Sequence, residues 1–400
     1  MLEKLDTIPW SELKHAYGSA ANIPNDLHNL ASSDEKTCDQ ALSGLYGNIF
    51  HQGTRYTATP YAIPFLFELI ENETTHNRAE LIYYIINLAL GYEEAYLVEG
   101  INPAQIKAEL KEAHKTMSLE EIKDSKEYGY SYLALLDCYS FVEERIPILW
   151  EIIEKTPKSF NNEVENNKNR KLINSAIYAS AWFAEKGTTS IELIKRQIPV
   201  LTHENDIANC ILAIGLLSKN TEPKIDISFL EAYLDSTSVL LKTSAAIALI
   251  KYPLTNQIIE ILIDSITSNE ELRKINEIPF NDGNINGYAS GMLSGYAQTQ
   301  EEEQRILLAF CQVLEKLNMY QATETTGFVL DILNRNRTIP IKETDVNNLE
   351  KNEIIALRAI ANSKGWGEGD MSFANFSLMM RDAGLPSEKE ELIEYLGEYY

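Results

Sequence analysis

The run Asn48-Ile49-Phe50-His51-Gln52-Gly53-Thr54-Arg55-Tyr56 packs the most varied side-chain chemistry into the fewest positions. It holds an imidazole, a carboxamide, a guanidinium and a phenol, which together offer donors, acceptors and π faces for gripping another molecule. His51, Gln52, Arg55 and Tyr56 are therefore candidate partner-binding residues at a helix end. The competing reading is structural: Gly53 stops the helix and His51 helps satisfy its last carbonyls. A second candidate is Trp366-Gly367-Glu368-Gly369-Asp370, an acidic loop with an aromatic. Trp366, Glu368 and Asp370 would hold a basic side chain of a partner, tryptophan being a common interface anchor. The alternative is a linker with Trp366 packed in the core.

Other spacings argue against catalysis and metal. Asp282-Gly283-Asn284-Ile285-Asn286-Gly287 matches the first half of a calcium loop, but the twelfth position is Leu293 where a bidentate glutamate is required. It reads as a polar turn with Asn286 near a helix N-cap. The histidines His15, His28, His51, His76, His114 and His203 make no paired-ligand spacing, and Cys38, Cys138, Cys210 and Cys311 make no Cys-x-x-Cys. A nucleophile elbow, a phosphate loop and a dinucleotide fingerprint are all missing. The expectation is no catalytic set, no metal, no cofactor and no enzyme activity.

Charge bears on the partner. Lys and Arg number 35 against 59 Asp and Glu, a formal net charge of −24. Residues 101–200 are near neutral, so the acidity lies towards both ends. Such a surface repels phosphates and anionic lipids and favours a basic protein partner. The densest basic patch, Lys168-Asn169-Arg170-Lys171, is too short to outweigh it and reads as a solvated helix start. The opening residues carry neither a basic region nor an apolar core. No 18-residue apolar stretch occurs. Scattered free cysteines fit a reducing compartment. The expected setting is the cytoplasm.

The elements that must position these residues are helices. Apolar residues follow the helical period along the whole chain, and breakers recur every 12–20 residues. Two kinds of helix alternate. One is bulky and aliphatic, as in Ile63-Pro64-Phe65-Leu66, Ile146-Pro147-Ile148-Leu149, Ile198-Pro199-Val200-Leu201 and Ile258-Ile259-Glu260-Ile261-Leu262. Interior prolines there would kink the helix. The other is rich in small residues, near Ala134, Ala176, Ala208, Ala245 and Ala289, at spacings of 42, 32, 37 and 44 residues. Small residues suit an inner helix packed on several sides. The pattern predicts an all-α fold, a right-handed α-α superhelix of roughly eight to ten helix pairs. It would be one solenoid over 1–400, with residues 1–75 and 340–400 as caps. A helix is expected from Ser11 to Tyr17.

The segment Trp10–Leu69 carries Trp10-x-x-Leu13, His15-Ala16-Tyr17-Gly18-Ser19-Ala20, Leu45-Tyr46-Gly47-Asn48-Ile49-Phe50-His51-Gln52-Gly53-Thr54 and Pro60-x-x-x-Pro64-Phe65-Leu66. It resembles the opening of a group of bacterial HEAT-repeat (armadillo-like) proteins of no settled function. The rest of the chain is similar to generic HEAT-like repeats. The resemblance implies the solenoid; taken with the net charge of −24 and the missing catalytic set, it leads to the expectation of a protein-binding module, in concrete form an immunity-type inhibitor that sequesters a basic bacterial toxin or enzyme. The alternatives are a HEAT-like DNA glycosylase or lyase, which needs a basic concave face, and a passive assembly scaffold.

Overall fold

The computed structural model describes residues 2–400 except 125–128, 159–161, 252–254, 269–271, 273–274, 276, 297–298, 336, 369–370 and 373. The fold is all-α, a helical repeat of the superhelix class that the periodicity predicts. The chain divides into two compact units, Met1–Ile227 and Ser228–Tyr400.

In the first unit, α1 (Ile23–Asn29) and α2 (Glu35–Ile49) precede the pair α3 (Thr59–Glu71) and α4 (Arg78–Leu90). Then come α5 (Pro103–Ala113), α6 (Leu119–Asp124), α7 (Gly129–Glu143), α8 (Ile146–Lys155), α9 (Glu163–Ser180), α10 (Gly187–Gln197) and α11 (Glu204–Asn220). Helices α4, α9 and α11 lie side by side, and α3, α8 and α10 cover them. The second unit holds α12 (Val239–Leu249), α13 (Asn256–Ser268), α14 (Ile285–Tyr296), α15 (Gln300–Val313), α16 (Met319–Asn334), α17 (Lys351–Asn362), α18 (Ala374–Asp382) and α19 (Lys389–Leu396). Its layers are α12–α14–α16 and α13–α15–α17–α19.

The two helix kinds map onto the two layers. In α11 every residue from Ala208 to Leu217 is buried, and in α14 every residue from Ile285 to Ser294. A helix enclosed on all faces needs small side chains, since overpacking a core costs about 1–3 kcal/mol per site. The covering helices are amphipathic: α13 buries Ile258, Ile259, Leu262, Ser265 and Ile266, a single stripe. Helix starts are set by side-chain caps. Asp34 accepts from the Thr37 N–H at α2, Asn162 from Val164 at α9, and Thr299 with Glu302 forms a capping box at α15.

Two local expectations change. Residues 11–17 are not a helix: Lys14–His15 pairs with Gly18–Ser19 as a short hairpin, turned by Gly18 at φ +123°. Helix α1 opens with Ile23-Pro24, proline being tolerated in the first turn. Of the Ile-Pro sequences, Pro64 alone lies inside an α-helix; Pro147 opens α8 and Pro199 sits in a 3-10 turn after α10.

The cysteines sit in helices as expected and are free, with Cys38, Cys138 and Cys210 buried. Burial pushes the Cys311 thiol up to about 12 and raises the other three. The reactive thiolate is thereby suppressed at neutral pH. Iodoacetamide at pH 8 should label less than one cysteine per native chain and all four in urea, read by intact mass. Fast labelling of the native chain would contradict this packing.

Candidate interaction surfaces

At the C-terminal end of α2 the chain leaves the helix through the 3-10 turn His51–Gly53. Gln52 (φ 50°) and Gly53 (φ 79°) are both left-handed and reverse the direction. A Cβ on Gly53 would come within 2.6 Å of the Tyr92 ring, so a larger residue would displace that ring and strain the left-handed backbone. This turn separates the four residues singled out in the sequence. His51 and Gln52 reach the surface, and Tyr56 is half-buried with burial raising its phenol. Arg55 is 6% exposed and donates from Nη1 to the Gly53 carbonyl at 3.0 Å. Its guanidinium holds the turn from below and does not face a partner.

The hairpin brings a residue that the site reasoning left out. The Ala16 N–H donates to the Asn48 carbonyl at 2.9 Å, which docks the hairpin on α2. His15 is 9% exposed; its Nδ1 accepts from the Tyr17 N–H at 3.0 Å and its Nε2 meets Asn22 Oδ1 at 2.9 Å. Tyr17 is thereby fixed over His51, with ring centroids 5.4 Å apart and the phenol oxygen 3.3 Å from His51 Nδ1. Tyr92 lies against Phe50 at 5.9 Å, and Phe50, Tyr46 and Tyr84 continue the contact inward. The result is a platform of Tyr17, His51, Gln52 and Tyr92, with Tyr17 71% and Tyr92 59% exposed. Asp26 lies alongside, where burial raises its carboxyl against the opposing pull of Asn48 and His15. Tyr17 stood in a segment that the sequence already marked. Tyr92 follows Gly91 with no pattern to flag it.

The C-terminal candidate belongs to the second unit. Trp366 donates from Nε1 to the Ile360 carbonyl at 3.0 Å and packs edge-on against Phe376 at 4.8 Å. Half-buried, it closes the end of α17. The backbone of Glu368 pairs with Met371, and Asp370 lies outside the described residues.

The basic patch lies inside α9, beyond its first turn and not at a helix start as expected, and it splits. Arg170 turns inward onto Asp206, while Lys168 and Lys171 point outward. The two lysines line a cleft of about 920 Å³ at the opposite end of α2 from the platform. One wall comes from the N-terminal ends of α2 and α4 and the C-terminal end of α3, the other from α8 and α9.

The Asn281 loop is a polar turn. Asn281 and Asn284 donate from Nδ2 to the two Glu324 oxygens at 3.2 and 2.6 Å. Asn284, not Asn286, caps α14, accepting from the Gly287 N–H; Asn286 donates instead to the Ser265 carbonyl. Among the described residues no group of His, Cys, Asp and Glu is placed to hold a metal, and no helix is long and apolar enough to cross a membrane.

These surfaces offer ordered aromatic faces, the imidazoles of His51 and His76, and charges lining a cleft. The chain matches no protein-family model, no curated protein and no solved structure.

Proposed function

We propose that this chain is a protein-binding helical-repeat module of the bacterial HEAT type whose partner is a basic protein. Its concrete form is an immunity-type inhibitor that sequesters a basic toxin or enzyme in the cytoplasm. The observation that carries this reading is the platform, where the two most distinctive segments, His15–Ala20 and Leu45–Thr54, meet through the Ala16–Asn48 bond and the Tyr17–His51 contact. Exposed tyrosines held rigid by neighbours lose little entropy on binding and are enriched at interface hot spots. The charge of −24 supports a cationic partner, because opposite fields accelerate encounter at low salt.

The test is capture from the native organism on the immobilised full chain at about 20 mM salt, followed by a wash at about 0.5 M, where the Debye length shrinks several-fold. One abundant basic protein released by the wash is the expected result. Recovery of nucleic acid would turn the reading towards a HEAT-like glycosylase. Several weak partners, none salt-sensitive, would turn it towards an assembly scaffold.

A further inference from the structure

The cleft between the α2–α4 wall and the α8–α9 wall is charged on both sides, and the two sides differ. Glu35, Glu71, Glu73 and Glu80 project from the first wall, all exposed. Its one arginine, Arg78, donates to the Ile70 carbonyl at 2.6 Å at the end of α3 and attracts Glu73 beside it, so the wall stays acidic through four carboxylates against one guanidinium. On the second wall Lys155 is paired with Glu151 at 2.6 Å along α8. That leaves Lys168, Lys171 and the single acid Glu165 on α9. Among the described residues no ion pair joins one wall to the other. Opposite charges therefore line one cleft without neutralising each other. Ile152 and Leu172, 7% and 6% exposed, lie beneath them.

We infer that this cleft binds an extended polypeptide segment whose side chains alternate between basic and acidic. Successive residues of an extended chain point to opposite faces. A strand of alternating lysine and glutamate thus presents all its ammonium groups to the carboxylate wall and all its carboxylates to Lys168 and Lys171. The lysine stems rest on the apolar floor while their heads stay charged. A purely cationic ligand meets repulsion at the second wall, and a purely anionic one at the first. An apolar small molecule finds a lining too polar to hold it. This site is independent of the platform, since about 22 Å of helix α2 lies between them.

The test uses the full chain and three fluorescein-labelled octapeptides at about 0.1 M salt, where long-range attraction is screened. The first probe alternates lysine and glutamate along its whole length. The second is a block peptide of the same composition, its lysines in one half and its glutamates in the other. The third is all lysine. Anisotropy should show the alternating peptide binding several-fold more tightly than the block peptide. In the Lys168→Glu/Lys171→Glu variant its affinity should fall about tenfold, as two exposed pairs become repulsions. The all-lysine peptide should bind that variant more tightly than wild type, with far-UV circular dichroism and a urea midpoint equal to wild type showing that the variant is folded. Equal affinity for alternating and block peptides would overturn the inference. So would an alternating peptide that ignores the lysine reversal, or one that fails to bind at all.

Discussion

Arg170→Met is expected to destabilise the first unit by about 3–5 kcal/mol, the cost of breaking a buried pair by removing one partner. The reason lies in Asp206, whose side chain is 3% exposed. Arg170 donates to both of its oxygens, from Nε at 2.8 Å and from Nη2 at 2.9 Å, and Asn174 adds a third bond at 2.8 Å. Asn174 in turn accepts at its carbonyl from Asn209 at 3.1 Å, so the network ties α9 to α11. Without the guanidinium, a carboxylate stays buried with its charge uncompensated and one side-chain amide as donor. The exposed pair Arg196–Glu154 is the control: at 67% and 52% exposure, Arg196→Met should cost under about 1 kcal/mol. Urea unfolding followed by tryptophan emission measures both. Arg170→Met/Asp206→Leu should recover most of the loss, because a well-packed apolar pair is often as stable as the ion pair it replaces. A loss below about 1 kcal/mol for Arg170→Met would show that the carboxylate is solvated in solution.

This pair also shows where reading the sequence stops. Helices announced themselves by period, and inner-layer helices by their small residues, because both signals follow from burial on a repeating surface. Lys168 to Lys171 looked like one patch because its charges are adjacent in the chain. A helix turns about 100° per residue, so Arg170 enters the core while its neighbours face the cleft. The N-terminal hairpin escaped for a different reason. Its turn depends on a ring nitrogen of His15 accepting the Tyr17 N–H, a bond that no hydrophobic period encodes. His51 and Gln52 were legible as a polar turn after a helix. Arg55 was not legible as a buried strut, since its burial follows from α4 ending at Gly91 beside it. Trp366 stood open between interface and core; its indole N–H bonds the Ile360 carbonyl at the end of α17.

Tyr17→Ala and Tyr92→Ala should each weaken binding of the salt-released basic partner about 30-fold, the loss of about 2 kcal/mol typical of a hot spot. The argument is pre-organisation. Tyr17 is 71% exposed, yet its ring is fixed by His51 and its backbone by His15 and Asn48. Tyr92 is fixed by Phe50 and by the side of Gly53. Both offer large faces at little entropic cost, and a Lys or Arg of the partner stacks favourably on such a face. Tyr17→Phe should fall between wild type and alanine, since it keeps the ring and loses the contact to His51. Tyr320, 69% exposed on the second unit, is the matched control, and Tyr320→Ala should change affinity less than about twofold. Stability separates recognition from folding. Truncating exposed Tyr17 should move the urea midpoint little, whereas Tyr92→Ala uncovers Phe50 and should lower it modestly. If both alanine variants hold the partner as wild type does, the platform is a scaffold feature and the binding face lies elsewhere on the repeat. If Tyr17→Ala alone releases it at unchanged midpoint, the hairpin that displaced the expected first helix is what the partner reads.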